Sequence, residues 1–257
     1  MQAVILCGGK GTRLREETEF KPKPMIKVGE QPILWHILKH YAGCGISDFV
    51  LCMGYRAEMI REYFLNYDLH HSDVLLELGT KRLVPLEQGY AEKNWRLWMI
   101  DTGQETNTGG RLRRVKQYIQ GSTFLATYGD GVSDVDVRKV VEFHKSHGRL
   151  ATVTAVRPGS RFGELALSGD RVTVFSEKPQ VQAGWINGGF FVFEREALDL
   201  IEGDEESLEH GLLSKLSNMD QLRAYFHDGF WQCMDTYREM ELLQTLWEEG
   251  RAPWKTW

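Results

Sequence analysis

The chain has 257 residues, of which 42% are hydrophobic, and a formal net charge of -5 at pH 7. Its length permits a large buried core, and its hydrophobic content with eight tryptophans excludes a disordered protein. The net negative charge argues against a general nucleic-acid binder, so the positive charge that holds any anionic ligand must be local.

The cysteines predict reduced thiols rather than a disulfide framework or a zinc site. Cys7, Cys44, Cys52 and Cys233 form no C-x-x-C pair, and no histidine pattern completes a metal site. No apolar run approaches the ~20 residues of a membrane span, and the first apolar run is too short for a signal peptide. We therefore expect a cytoplasmic protein with no membrane contact.

Short apolar runs alternate with helical patterns through the first 156 residues. Strands are predicted at 3–7, 48–55, 73–79, 95–100, 123–131 and 150–156. Helices are predicted at 32–45, 57–67, 109–119 and 135–148. The stretch 79–95 is too long for a simple connection, and we predict a protruding hairpin at a subunit contact, with a lid as the alternative.

The pattern changes after residue 156. Residues 163–179 hold two alternating segments around a turn, which predicts a hairpin. A strand leading into a helix is predicted at 186–201, a strand with a loop at 222–236, and a final helix at 237–250. Strands alternating with helices imply right-handed crossovers. The predicted fold is therefore α/β, with a Rossmann-like, mixed and mostly parallel sheet flanked by helices.

The loop after the first strand, CGGKGTR, has the features of a phosphate site. Ligands of open α/β sheets bind beyond the carboxyl ends of the strands, and glycines let backbone amides approach an anion closely. Arg13 can bind phosphate oxygens through two hydrogen bonds, and Lys23 adds a point charge between two stiffening prolines. The loop matches neither the G-x-G-x-x-G nor the G-x-x-x-x-G-K-[ST] pattern.

Two aspartates are candidate ligands for a divalent cation. Asp130 follows the apolar run FLATY between two glycines, and Asp235 lies far away in WQCMDT. Magnesium usually takes only one or two protein carboxylates and fills its other positions with water and phosphate. Taken alone, each aspartate also suits a turn or a cap. Asp134 and Asp136 are the weaker pair for a metal, and Asp134 is predicted to cap the following helix.

Two motifs in the second half carry charged and polar groups that could bind a ligand. EKP places Glu177 and Lys178 at the end of a predicted strand, and INGG adds Asn187 and Gly188. Lysine can bind a phosphate, glutamate can accept hydrogen bonds from hydroxyls, and asparagine can both donate and accept. Alone, EKP is more typical of an exposed turn.

The segments AVILCGGKGTRL and KPKPM resemble the signature of the sugar-nucleotide pyrophosphorylases, also called sugar-phosphate nucleotidylyltransferases. Such enzymes join a nucleoside triphosphate to a sugar 1-phosphate and release pyrophosphate. The resemblance runs along the whole chain and is most specific for members that use CTP and glucose 1-phosphate. It is carried there by PILWHILKHY, TGGRL, TYGDGVSDVD, FGELAL, EKP, INGGFFVF, GFWQCMDT and APWKTW.

This resemblance implies a role for each candidate residue. Arg13 and Lys23 would be catalytic, with Arg13 beside the leaving pyrophosphate and Lys23 at the α-phosphate. The nucleotide would contact Leu6, Cys7, Gly8, Gly9, Lys10, Gly11, Thr12, Arg13, Lys23, Thr102, Thr108, Gly109 and Gly129. The sugar phosphate would contact Glu177, Lys178, Asn187 and Gly188, and Mg²⁺ would be bound by Asp130 and Asp235.

The resemblance also implies the reaction and its setting. We expect one domain over residues 1–257, whose halves, about 1–135 and 136–257, bind nucleotide and sugar phosphate respectively. CDP-glucose would form by Mg²⁺-dependent in-line displacement in a cytoplasmic homo-oligomer, with a hexamer as one possible assembly. The product would feed deoxysugar synthesis for O-antigen and lipopolysaccharide.

Two alternatives stay open at the level of sequence. The residues do not show which groups read the base, so a uridylyl- or thymidylyltransferase on the same scaffold is one alternative. A non-catalytic nucleotide-sugar sensor is the other. A sensor would be expected to have lost a site residue, whereas Arg13, Lys23, Asp130, Lys178 and Asp235 are all present.

Overall fold

The computed structural model describes residues 1–11, 14, 18–86, 91–159, 164–168, 171–176 and 184–257. The strands of this part of the chain are β1 (Ala3–Leu6), β2 (Lys27–Val28), β3 (Gln31–Pro32), β4 (Asp48–Met53), β5 (Val74–Glu77), β6 (Arg82–Pro85), β7 (Arg96–Asp101), β8 (Thr123–Tyr128), β9 (Gly131–Ser133), β10 (Ala151–Val156), β11 (Glu164–Ser168), β12 (Arg171–Ser176), β13 (Ile186–Glu194), β14 (Leu222–His227) and β15 (Trp231–Cys233). Its α-helices are α1 (Ile33–Gly43), α2 (Ala57–Leu65), α3 (Tyr67–His71), α4 (Thr108–Val115), α5 (Val137–His147), α6 (Ser214–Asn218) and α7 (Tyr237–Glu248). Turns of 3-10 helix cover Lys23–Met25, Lys116–Tyr118 and Arg195–Leu200, and a π-helix covers Leu208–Leu213.

A central sheet of seven strands runs through the described residues in the order β14-β10-β13-β8-β1-β4-β7. The strand β1 pairs in parallel with β4 on one side and with β8 on the other. The antiparallel member is β13, between β8 and β10. The prediction of a mixed and mostly parallel sheet is therefore confirmed. The predicted hairpin is also present, but β11 and β12 pair with each other in a separate small sheet.

Helices cover both faces of this sheet, which explains why β1 reads as a continuous apolar run. Successive side chains of a strand point to opposite faces. Ala3 and Ile5 join the core cluster that includes Leu34 of α1, whereas Val4 joins the cluster that includes Leu112 of α4. Burial on both sides fixes β1 in place. The glycine loop starts at its carboxyl end and therefore lies at the rim of the sheet.

The cap of α5 differs from the prediction. The Asp136 carboxylate accepts a hydrogen bond from the Arg138 N–H at 3.0 Å, so Asp136 is the N-cap and the prediction for Asp134 was wrong. Asp134 instead lies 2.8 Å from the Nε2 of His227. The helix starts at Val137, three residues after Asp134, and a cap must be the residue directly before the first helical one.

The segment predicted as a third strand lies outside the central sheet. Among the described residues β5 pairs with β6 alone, in an antiparallel hairpin whose partners include Leu76 and Leu83. The prediction of a hairpin within 79–95 was therefore wrong in its bounds: its second strand, β6, lies in that stretch, but its first strand, β5, is the segment predicted as the third strand.

The aromatic C-terminus packs on the core of the same chain. Trp254 is 1% exposed and stacks against Phe230 and Trp247. Its indole N–H donates to Nδ1 of His36 at 3.3 Å, and Nε2 of His36 lies 2.9 Å from the Val28 carbonyl oxygen. His36 thus fits the neutral tautomer that donates from Nε2 and accepts at Nδ1.

Within the described residues, none of the helices combines the length and the apolar character that crossing a bilayer would require.

His36 predicts a dependence of stability on pH. Burial lowers the pKa of His36 to about 4, whereas an unfolded histidine titrates near 6.5. Between these values the unfolded chain binds the proton and the native chain does not, so native stability is complete above pH ~6.5 and is lost as the pH falls toward 4. His36→Gln should be less stable at pH 7.5 but lose less of its unfolding free energy on acidification, with a slope shallower by up to about 1.4 kcal/mol per pH unit.

Urea denaturation from pH 7.5 to 4.5 measures this slope. His70→Gln, which changes an exposed histidine, is the matched control and should keep the wild-type slope. Parallel curves for the wild type and His36→Gln would contradict the account.

Candidate active site

A cavity of about 550 Å³ opens at the carboxyl ends of β1 and β8. It is walled by the loop after β1, the start of α4, the start of β13 and the segment after β15. The predicted site residues that line it are Leu6, Cys7, Gly8, Gly9, Gly11, Lys23, Thr108, Gly129, Asp130, Asn187, Gly188 and Asp235. Candidates from the whole length of the sequence therefore meet in one place.

Four predicted residues lie outside the described residues, namely Thr12, Arg13, Glu177 and Lys178. Their roles stay predictions.

Three further candidates are described but do not line the cavity. Lys10 is exposed, and its ammonium lies 2.6 Å from the Glu105 carboxylate. Thr102 is fully buried, and its hydroxyl donates to the Met53 carbonyl at 2.7 Å. Gly109 packs so closely on the next chain segment that an added Cβ would lie 2.7 Å from the Glu206 carbonyl oxygen. Contact of these three residues with a nucleotide stays a prediction.

The strongest electrostatic feature of the cavity is a cluster of Lys23, Asp130 and Asp235. The Lys23 ammonium donates to Asp130 Oδ2 at 2.6 Å and also to Asp235 Oδ1. The Lys23 side chain is only 8% exposed, and those of Asp130 and Asp235 are 30% and 15% exposed. Burial opposes the charged form of Lys23, but the two carboxylates outweigh it and raise its pKa. The lysine is therefore a cation held between two anions.

Backbone pairing explains why two aspartates distant in sequence meet here. β9 follows Asp130 directly and pairs with β15, which ends just before Asp235. The Met234 N–H then donates to the Asp130 carbonyl at 2.8 Å. Beyond it, the N–H groups of Asp235 and Thr236 both donate to the Glu239 carboxylate at the start of α7. These contacts thus fix the backbone that carries each of the two aspartates.

These two carboxylates suit a hard divalent cation that keeps ligands of its own. Within the described residues, no cluster of three or more histidine, cysteine, aspartate or glutamate side chains could hold a metal. Magnesium is commonly bound by one or two carboxylates together with substrate phosphates, whereas an all-protein cage is unusual for it. The donor set therefore fits Mg²⁺ if a phosphate ligand completes its coordination.

Arg111 of α4 supports the glycine loop from below. Its guanidinium donates to the Gly8 carbonyl at 3.1 Å and to the Met53 carbonyl at 3.1 Å, and it reaches the Thr102 hydroxyl at 2.7 Å. It also donates to the carbonyls of Gly103 and Gln104 at 2.8 and 3.3 Å. These five acceptors are uncharged, and the residue is 4% exposed. A positive charge thus lies beneath the loop in a poorly solvated position.

This role of Arg111 was not predicted, because the residue entered the sequence analysis only as part of the TGGRL segment. The signal for it was an arginine on the buried face of a helix that has two glycines in its first turn.

Neighbouring glycines of the loop are needed for different reasons. A Cβ on Gly8 would lie 2.2 Å from Nη1 of Arg111, whereas a Cβ on Gly9 would meet no atom of the described residues within 4 Å. Gly8 therefore makes room for the arginine, and Gly9 lines the cavity. Cys7 precedes them as a neutral thiol, because burial raises its pKa to about 12.

Glu209 is a second cavity residue that sequence reasoning missed. It lies on the π-helix Leu208–Leu213, where no element was predicted. Its carboxylate accepts from the Tyr128 hydroxyl at 2.5 Å and from the Thr108 hydroxyl at 3.1 Å. Burial and this carboxylate raise the pKa of Tyr128, so its hydroxyl stays protonated and donates. The Asn187 amide donates to the same hydroxyl at 3.4 Å. The network joins the helix side of the cavity to β13.

Comparisons with known proteins place this cavity in context. The profile of the family described as Nucleotidyl transferase matches residues 2–236. The glucose-1-phosphate cytidylyltransferase of Salmonella typhi is 48% identical over 258 aligned residues, which cover 100% of both chains. The probable glucose-1-phosphate cytidylyltransferase of Bacillus subtilis (strain 168) is 40% identical with the same coverage. The crystal structure of HddC from Yersinia pseudotuberculosis shares the fold, with a TM-score of 0.70 at 21% identity over 96% of this chain and 99% of that one.

The two glycines predict opposite phenotypes for one substitution. Gly8→Ala should lower the free energy of unfolding by about 1–3 kcal/mol, because the methyl group displaces Arg111. Gly9→Ala should keep stability within about 1 kcal/mol of the wild type, since no atom of the described residues lies within 4 Å of the added methyl group. It should nevertheless bind inorganic pyrophosphate at least about tenfold more weakly, because the methyl group keeps the anion away from the backbone amides.

Urea denaturation and calorimetric titration with pyrophosphate measure the two effects, and each variant serves as the control for the other. Wild-type stability of Gly8→Ala would contradict the role of Arg111, and wild-type affinity of Gly9→Ala would contradict the role of the loop.

Proposed function

The chain belongs to the nucleotidyl transferase family, and from this premise we propose that its cavity transfers a cytidylyl group from CTP to α-D-glucose 1-phosphate, giving CDP-glucose and pyrophosphate. Two relatives named for this activity are 48% and 40% identical over the full length of this chain. The observation that carries the proposal is the cluster of Lys23, Asp130 and Asp235 beside a glycine loop, in a cavity at the carboxyl ends of parallel strands.

The chemistry requires two anions to meet, because an oxygen of the sugar phosphate attacks the α-phosphorus of the triphosphate. Two unit charges of the same sign at 4 Å repel by about 4 kcal/mol at an effective dielectric constant near 20. The ammonium of Lys23 and the guanidinium of Arg111 are positive groups on the side of the cavity where these phosphates would meet. Arg13 and Lys178 add two more cations in this proposal. No general base is needed since the attacking oxygen is already ionised, so the protein acts through positioning and charge stabilisation.

Magnesium is part of the proposal, with Asp130 and Asp235 as its protein ligands. When bound, the ion would neutralise part of the phosphate charge. The two side chains are supported by opposite segments, which the β9–β15 pairing holds in place. Lys23 is then available to the phosphates from the turn Lys23–Met25, which two prolines flank and stiffen.

The sugar phosphate would occupy the β13 side of the cavity. Asn187 is oriented there, because its side-chain oxygen accepts from the Gly189 N–H at 2.8 Å. The indole N–H of Trp231 donates to the Gly188 carbonyl at 2.6 Å and fixes the adjacent peptide. Glu177 and Lys178 complete this half of the site in the proposal.

A homo-oligomer, with a hexamer as one possible size, is the assembly that we propose. The β5–β6 hairpin and the residue after it expose five leucines, which are Leu75, Leu76, Leu78, Leu83 and Leu86. Leu78 is 81% exposed, and a concentration of apolar side chains of this kind is typical of a contact surface. A second copy of the chain would cover it.

The cellular setting of the proposal is the cytoplasm, in the synthesis of deoxysugars for O-antigen and lipopolysaccharide. The four cysteines are free thiols, which suits a reducing compartment.

An activity panel tests the proposed reaction. With Mg²⁺ and α-glucose 1-phosphate, pyrophosphate release should be fastest with CTP, because the proposed site selects cytosine over the other bases. Equal rates with UTP or dTTP would favour a uridylyl- or thymidylyltransferase. No release with any nucleoside triphosphate would favour the non-catalytic sensor.

In the same assay Lys23→Ala should lower kcat by at least about 10²-fold, because it removes a cation that stabilises the transferring phosphate. Lys27→Ala is the matched control: Lys27 is exposed, so its removal should leave kcat unchanged. Normal turnover by Lys23→Ala would exclude Lys23 from the mechanism.

The assembly is tested by light scattering after size-exclusion chromatography. The double variant Leu76→Glu/Leu78→Glu should have a smaller molar mass than the wild type, because charges at the contact oppose association. Leu242→Glu, on the exposed face of α7, should keep the wild-type mass. A monomeric wild type would contradict the proposal.

A further inference from the structure

We propose that Lys23 is an exchangeable internal cation that makes the binding of the divalent metal conditional on the nucleotide. In this scheme the Lys23 ammonium leaves the carboxylates of Asp130 and Asp235 only when the metal and the triphosphate bind together. The ammonium then binds the phosphates. The inference rests on the proposed function and concerns the order in which the site is filled.

The Lys23 ammonium and a metal held by Asp130 and Asp235 would compete for the same carboxylate oxygens. The Lys23 ammonium contacts Oδ2 of Asp130 at 2.6 Å and Oδ1 of Asp235. A divalent cation bound to these two oxygens would lie beside the ammonium, in a position where the lysine side chain is 8% exposed. Like charges repel strongly where water cannot screen them, so the two arrangements exclude each other.

The described part of the chain offers few protein ligands to a metal at this position. In the described part of the chain, Asp130 and Asp235 are not joined by another histidine, cysteine, aspartate or glutamate to form a metal-binding group. A hard cation held by two carboxylates alone keeps most of its waters and binds weakly. It therefore displaces the lysine only with added phosphate ligands, and the triphosphate supplies them.

Lys23 is placed so that its side chain can exchange partners while its backbone stays in position. The residue lies in the turn Lys23–Met25 next to Pro22 and Pro24. Its stem runs alongside the glycine loop, since a Cβ on Gly11 would lie 3.2 Å from the Cβ of Lys23. Rotation of the side chain alone carries the ammonium from the carboxylates toward an anion on that loop.

Titration with Mn²⁺, followed by the electron paramagnetic resonance signal of the free ion, tests the exchange. For the wild type, Mn²⁺ alone should bind weakly. In the presence of saturating CTP, Mn²⁺ should bind to the protein at least tenfold more tightly than it binds to CTP without protein. Lys23→Met should bind Mn²⁺ alone at least tenfold more tightly than the wild type, because the competing cation is gone. It should also lose most of the coupling to CTP. Lys27→Met, which removes an exposed lysine, should behave as the wild type.

Thermal denaturation of the wild type is a second test, which does not depend on whether Lys23→Met folds. Mg²⁺ alone should leave the Tm of the wild type almost unchanged, whereas Mg²⁺ with CTP should raise it. An equal rise with Mg²⁺ alone would overturn the inference, as would unchanged or weaker Mn²⁺ affinity of a folded Lys23→Met.

Activity separates this inference from the proposed function. A wild type that turns over CTP while failing either binding criterion refutes the exchange and leaves the function intact. A wild type that neither turns over CTP nor couples it to Mn²⁺ refutes both.

Discussion

One ammonium group shared by two carboxylates holds the candidate site together. Lys23 and Asp235 are 212 residues apart in sequence, and Asp130 lies between them, so the ends of the chain must meet before the cluster exists. A buried lysine without these partners, or two close carboxylates without the lysine, would be costly. The same charges suit the site to its ligands. The two carboxylates need a cation between them, which can be an ammonium or a metal, and the ammonium can in turn bind an anion.

The sheet supplies the constraint that places this cluster. β1 is buried on both faces and paired on both edges, so its carboxyl end is a fixed point from which the glycine loop emerges. Arg111 donates to the carbonyl of Gly8 on this loop and lies beneath it, and its hydrogen-bond acceptors among the described residues are all uncharged. The β9–β15 pairing brings the second aspartate to the same rim. The sheet and its small β9–β15 extension therefore fix both the glycine loop and the positions of these charged groups.

The parts of this architecture that follow local rules were predictable from sequence. The apolar run of β1 and the periodicity of α1 lead to elements with nearly the predicted bounds, because burial on a sheet or along a helix leaves a direct pattern. Asp136 rather than Asp134 caps α5, because the cap is the residue with the required backbone angles. Two aspartates in one short segment are the same residue type, so the sequence does not tell which of them has those angles. Glu209 was not predicted because its role depends on accepting hydrogen bonds from Tyr128 and Thr108, and these contacts form only in the folded chain.

The direct measurement is a crystal structure of the protein with CDP-glucose and Mn²⁺, with the metal located by its anomalous scattering. The account predicts the diphosphate over the glycine loop, the anomalous peak between Asp130 and Asp235, and the Lys23 ammonium within hydrogen-bond distance of a phosphate oxygen. A diphosphate bound elsewhere, or a metal bound while Lys23 still holds both carboxylates, would contradict it.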